Sequence, residues 1–143
     1  PEERWAELAR EIVDRGERPV LLVGPGAPLA RRIADAAPGA VSLAGALDVL
    51  ASAAVLARAR ILASGDTGVM HLATATGTPV VALFGPTVRG FGFFPYTDQA
   101  TILERDLPCR PCSIHGTDAC PLGHHECLRG IGVEEVTGPL FTF

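Results

Sequence analysis

The sequence predicts an α/β fold, a Rossmann-like three-layer sandwich with a parallel sheet, and three observations predict it. Apolar runs of strand length alternate with segments of helical period along most of the chain. Residues 60–63 ("RILA") and 79–84 ("PVVALF") lack polar alternation, as strands buried on both faces do. Between them Val69, Leu72, Ala73 and Thr76 recur at helical spacing, and Gly77 followed by Thr78 and Pro79 is a stop signal, so this stretch is a β-α-β unit.

The elements follow in order. Trp5, Leu8, Ala9, Ile12 and Val13 make one face of a first helix that Gly16 ends. "PVLLVG" at residues 19–24 is a strand; Leu29, Ile33 and Ala37 mark a second helix closed by Pro38 and Gly39. A short strand "VSL" covers residues 41–43, and Leu47, Leu50, Ala51, Ala54 and Val55 face a third helix. Residues 20–23, 61–63 and 80–83 are expected to be adjacent parallel strands, buried on both faces. After Thr87 come a Gly- and aromatic-rich loop, an edge strand at residues 101–105 ("TILER") and an irregular cysteine-bearing segment at 107–130. An alternating domain normally opens on a strand, whereas this chain opens on a helix, so the first strand is expected to be missing.

Composition excludes several classes. The 143 residues suit one domain, and 48% apolar with 20% charged residues is ordinary for a soluble protein. A net charge of −4, scattered arginines and no lysine argue against a nucleic-acid surface. The most apolar window is broken by Asp48, Arg58 and Arg60, and no basic-then-apolar leader opens the chain, so neither a transmembrane segment nor a secretion signal is expected.

The chemistry concentrates where the strand at 60–63 turns into a helix. Asp66 is expected at the N-cap, worth about 1 kcal/mol, with Thr67 and Gly68 in the first turn. N–H groups at a helix start lack helical partners and attract anions, and open parallel sheets bind ligands at the carboxyl ends of strands. Thr67 and His71, four apart, share a face away from the apolar stripe. Taken singly, Asp66 is as well explained as a plain cap and His71 as an ordinary polar residue; their convergence points to a phosphate-bearing ligand held by amides, hydroxyls and arginines.

The cysteines stand as Cys109-x2-Cys112-x7-Cys120-x6-Cys127, with His115, His124 and His125 interleaved. Zinc deserves consideration at Cys109, Cys112, Cys120 and Cys127, but the gaps fit no common finger, so free or redox-variable thiols rank first, disulfides second and zinc third. Pro108, Pro111 and Pro121 suggest a rigid loop clamped against the sheet edge.

The blocks "SGDTGVMHLATATGTPVVALFGPT", "ERWAELAREIVDRG", "LLVGPG" and "PCRPCSIHGTDACPLGHHECL" together resemble the C-terminal half of family 9 glycosyltransferases, the ADP-heptose:lipopolysaccharide heptosyltransferases and their relatives. The resemblance covers nearly the whole chain. It implies that residues 1–143 are the nucleotide-sugar-binding half of a two-domain GT-B enzyme, with residues 107–130 a Cys-rich loop within it. The implied activity is inverting, metal-independent sugar transfer, heptose from an ADP-sugar, to a lipopolysaccharide-core acceptor. Asp66 matches the acid that contacts the donor sugar, Thr67 and Gly68 the turn whose amides meet the diphosphate, and His71 the motif histidine. Gly85, Pro86 and Thr87 match the next strand-end turn, and Gly24 and Gly26 the "GPG" turn. Gly65 stands where the family often has Asn, and Ala27 where it often has an acid, so at the "GPG" turn the residues expected to meet the nucleoside depart from the family's pattern. The implied partners are the nucleotide-sugar donor and a lipid-linked saccharide acceptor, the latter through an absent N-terminal domain that supplies the catalytic base. A bacterial, cytoplasmic location with peripheral inner-membrane association of the full enzyme is implied as well. The alternatives are a non-catalytic nucleotide- or phosphate-binding module and a zinc-dependent interaction module built on the cysteine loop.

Overall fold

The computed structural model describes residues 1–24, 28–116 and 119–143. The chain divides into two compact units, Pro1–Val55 and Leu56–Phe143.

In the first unit, α1 (Glu2–Asp14) and α2 (Pro28–Ala36) pack on each other. Ala9, Ile33 and Ala37 form their shared core, with Trp5, Leu21, Leu29 and Ala40 against it. Gly16 lies at φ +83° just past α1, the left-handed conformation that ends a helix without a Cβ penalty. Strand β1 (Val20–Leu21) pairs in parallel with β2 (Val41–Ser42) in a two-stranded sheet.

This corrects the expectation of three adjacent, doubly buried strands. β1 is laddered to β2, and the separate three-stranded sheet holds the other two runs. Val20 is 42% exposed while Leu21 faces the helix core, because only one face of this ribbon is covered within the unit. Helix α3 (Val49–Leu56) is also corrected. Asp48 caps it, its Oδ1 accepting the Ala51 amide at 2.7 Å, and Leu50 is 81% exposed instead of facing inward. The segment is apolar all round, so period alone could not choose its buried face.

In the second unit, β3 (Leu62–Gly65), β4 (Val80–Phe84) and β5 (Ala100–Glu104) form a parallel sheet in the order β3-β4-β5. Leu62 pairs with Val80 and Gly65 with Leu83; Val80 pairs with Ala100 and Phe84 with Glu104. The central strand is the buried one, with Val80, Val81, Ala82 and Phe84 fully enclosed, and β5 is the expected edge. Helix α4 (Gly68–Thr76) crosses from β3 to β4 and ends at Gly77 in the left-handed conformation, as its sequence requires. Its buried side centres on Met70 and Ala73, one position off the expected stripe of Val69, Leu72, Ala73 and Thr76. Unbranched, flexible Met70 fills that space completely. Beyond a short 3-10 turn (Arg89–Phe91) and the cysteine loop come α5 (Glu126–Arg129) and α6 (Val133–Thr142), the latter packed on all three strands. Among the described residues no helix is long and apolar enough to cross a membrane.

Candidate functional site

β3 and β4 are parallel neighbours, so their carboxyl ends lie side by side and the residues that follow them meet. After β3 the chain turns through Asp66 and Thr67 into α4; after β4 it turns through Gly85, Pro86 and Thr87. The two turns are joined directly. Thr87 is 2% exposed and donates its hydroxyl to Asp66 Oδ2 at 3.1 Å.

The N-cap of α4 is Thr67, not Asp66. Thr67 is extended (φ −143°, ψ 163°) and makes no side-chain cap hydrogen bond, its hydroxyl lying 3.0 Å from Ser64 Oγ. The expected assignment fails by one residue because the Asp66 carboxylate is drawn to Thr87 instead of to its own helix. Gly68 opens the helix; the Met70 amide donates to the Thr67 carbonyl at 3.1 Å, and the amides of Gly68 and Val69 come before any intrahelical acceptor. His71 stands one turn along from Thr67, half-buried. A carboxylate, a hydroxyl and a set of helix-start amides therefore converge at one strand end, with Asp66, Thr67 and Gly68 all exposed. Such amides bind phosphate, and the carboxylate can accept hydrogen bonds from a polyol beside it.

Arg110 holds this turn from behind, and nothing in the sequence pattern marked it. Its side chain is 6% exposed and ion-paired with Glu104 at the end of β5, 2.9 Å away. The guanidinium donates to the carbonyls of Thr87 at 2.7 Å, of Gly85 and of Arg105. The Cys112 amide adds a bond to the Pro86 carbonyl at 3.1 Å. The proline-bearing loop is thus clamped on the strand ends, as its composition suggested. Gly85 is required sterically: a Cβ there would lie 2.9 Å from Leu128 Cγ.

Gly24 follows β1 in the first unit, while Gly26 and Ala27 lie outside the described residues. The four cysteines are free thiols, and among the described residues no group of three or more His, Cys, Asp or Glu could hold a metal.

The model of glycosyltransferase family 9 (heptosyltransferase) matches residues 1–121. Lipopolysaccharide heptosyltransferase 1 of Pseudomonas aeruginosa is 40% identical over 114 residues, 78% of this chain and 32% of the relative. Lipooligosaccharide heptosyltransferase 2 of Campylobacter jejuni is 36% identical over 74 residues, 51% of this chain and 22% of the relative. The chain thus spans about a third or less of these relatives' length. Two solved Escherichia coli structures align over 98% of the chain: ADP-heptose lps heptosyltransferase II, with TM-score 0.79, 25% identity and 40% of that chain covered, and heptosyltransferase WaaC with ADP, with TM-score 0.73, 28% identity and 38% covered. With the family model matching most of its length and the same parallel α/β fold in both structures, this chain belongs to glycosyltransferase family 9.

Proposed function

We propose that this chain is the donor-binding part of a glycosyltransferase that moves a sugar, heptose from an ADP-sugar, onto a lipopolysaccharide-core acceptor with inversion and without a metal. The observation that carries this reading is the junction of Asp66 with Thr87 beside the start of α4. In the proposed division of labour, Asp66 accepts hydrogen bonds from the donor sugar, and the amides at Thr67 and Gly68 take the diphosphate, with His71 beside them. Residues 85–87 form the opposite wall of the turn. Amides aimed at the departing diphosphate stabilise its developing charge without reorganisation.

The names of the relatives support the substrate class: they are lipopolysaccharide and lipooligosaccharide heptosyltransferases, and one structural neighbour was solved with ADP. The base that deprotonates the acceptor hydroxyl is assigned to a part of the full-length enzyme outside this chain, and so is acceptor recognition. The full enzyme is placed in the cytoplasm, at the inner membrane where its lipid-linked acceptor would lie.

Calorimetric titration of the 143-residue chain with ADP, UDP and GDP tests the donor assignment. Weak binding of ADP in preference to the others, weakened further with an ADP-sugar by Asp66→Asn, is expected. No binding of any of the three would overturn it.

A further inference from the structure

One guanidinium ties together the strand ends of the second unit's sheet. Arg110 Nη2 donates both to Glu104 Oε2 at 2.9 Å and to the Thr87 carbonyl at 2.7 Å, while Nε donates to the Gly85 carbonyl and Nη1 to the Arg105 carbonyl. Glu104 is the last residue of β5 and lies in register with Phe84, the last of β4. The end of β5 therefore fixes the guanidinium, and the guanidinium fixes the backbone of residues 85 and 87 just beyond β4.

Thr87 carries the connection on to the end of β3. It is 2% exposed, and its hydroxyl donates to Asp66 Oδ2 at 3.1 Å. A β-branched side chain is stiff at χ1, so the placement of the Thr87 backbone sets the direction of its hydroxyl. Among the described residues no other side chain holds the Asp66 carboxylate.

We propose that Arg110 is a positioning residue for the donor sugar, aiming the Asp66 carboxylate at the sugar through the Thr87 backbone and hydroxyl. The inference rests on the reading of Asp66 as the acid that meets that sugar. The Arg110 side chain is 6% exposed and each of its nitrogens already donates within the protein, so its route to the ligand runs through Thr87 and Asp66. A binding group serves only while its supports keep it within about 0.5 Å of the productive geometry. In the proposed site the diphosphate meets the amides at the start of α4 and the sugar meets Asp66, so a slackened Arg110 penalises an ADP-sugar more than ADP. A clamp that merely holds the loop down would weaken both ligands alike.

The test is calorimetric titration of the intact 143-residue chain with ADP-heptose and with ADP, read as the ratio of the two affinities. Asp66→Asn should lower the ratio. Arg110→Lys, whose single nitrogen cannot replace the fork, should lower it by about 3–10-fold, the scale of one weakened hydrogen bond. In the Asp66→Asn background Arg110→Lys should lower it no further, because its route to the sugar is gone. Glu104→Ala, which strips the guanidinium of its counter-ion but leaves it in place, should act in the same direction by a smaller factor. Circular dichroism checks folding, and Glu104→Ala takes the place of Arg110→Lys in the cycle if the latter does not fold. A wild-type ratio in the folded variant, or an equal drop with and without Asp66, would overturn the inference alone and leave Arg110 a structural clamp. No binding of either ligand by the unaltered chain, or a wild-type ratio in Asp66→Asn, would overturn the donor reading and this inference with it.

Discussion

Thr87 and Asp66, 21 residues apart in sequence, are joined by a hydrogen bond of 3.1 Å that ties the end of β4 to the end of β3. Its donor is buried and its acceptor exposed, so the protein spends one lone pair of the carboxylate on orientation and leaves the rest facing solvent. This separates the carboxylate from the helix cap, and the two roles respond differently to substitution. Thr87→Val, nearly isosteric, should cost about 1 kcal/mol in denaturant unfolding, the usual net value of one hydrogen bond. Asp66→Ala removes the same bond and leaves the buried Thr87 hydroxyl without its acceptor, so it should cost at least as much, about 1–3 kcal/mol. In a Thr87→Val background, where that bond is already gone, Asp66→Ala should add less than the ~1 kcal/mol of a lost N-cap, because Thr67 occupies that position; a full cap cost there would make the cap assignment wrong.

Arg110 is the second testable member of the site. Its guanidinium is nearly buried, and its partners are three carbonyls and the Glu104 carboxylate. Truncation leaves those acceptors without their donor, and hydrogen bonds to a charged group are each worth about 1.5–3 kcal/mol. Arg110→Met should therefore lower stability by at least about 2 kcal/mol. Arg110→Lys should recover little of it, because an ammonium on a flexible stem cannot reproduce the planar fork. Thermal unfolding of the three proteins checks this ordering, and full rescue by lysine would show that charge alone matters.

Gly85 and Leu128 offer a packing test. A Cβ at Gly85 meets Leu128 Cγ at 2.9 Å and both its methyls at 3.1 and 3.2 Å, so the collision involves the branch point as well as the tips. Gly85→Ala should cost about 1–3 kcal/mol through overpacking. Leu128→Ala in the same chain should relieve part of it, so that the double variant is more stable than the sum of the single costs predicts. Additive costs would mean that the two residues do not touch in solution.

What the sequence revealed and what it hid divide along the range of the interactions. β4 was legible because a continuous β-branched run has few other uses, and α1 and α4 because their stops are glycines that lie at positive φ. The turn itself was located, since it follows from a strand run and a helix run meeting. Arg110, Asp66's true partner and the separate ladder of β1 were hidden, because each depends on residues distant in sequence. α6 was hidden for a local reason. Val133, Val136, Thr137 and Leu140 keep helical spacing and are buried, but Gly138 and Pro139 read as a breaker. Packing on three strands overrides that propensity. The exposed Leu50 is the reverse case, an apolar residue that tertiary context leaves outside.

The start of α6 also predicts how the protein responds to acid. Glu135 accepts the amide of the N-cap Gly132 at 2.8 Å and pairs with Arg105, which itself donates to the Gly130 carbonyl. The Gly132 amide, and after it the Arg105 guanidinium, hold the Glu135 carboxyl below its ordinary value. Because the folded state favours the charged form, the contribution is fully present above the unfolded value of about 4.3 and is lost as pH falls through the lowered folded one. Glu2, held down by Arg32 in the first unit, adds to the same limb. Melting temperature should therefore be flat near neutrality with respect to these groups and decline below about pH 4. Glu135→Gln keeps an acceptor for the amide but removes the charge, so it should lower the neutral-pH melting temperature and shallow the acid limb. A limb of unchanged steepness in Glu135→Gln would assign the acid sensitivity to other carboxylates and leave the Gly132–Glu135 contact as a neutral hydrogen bond.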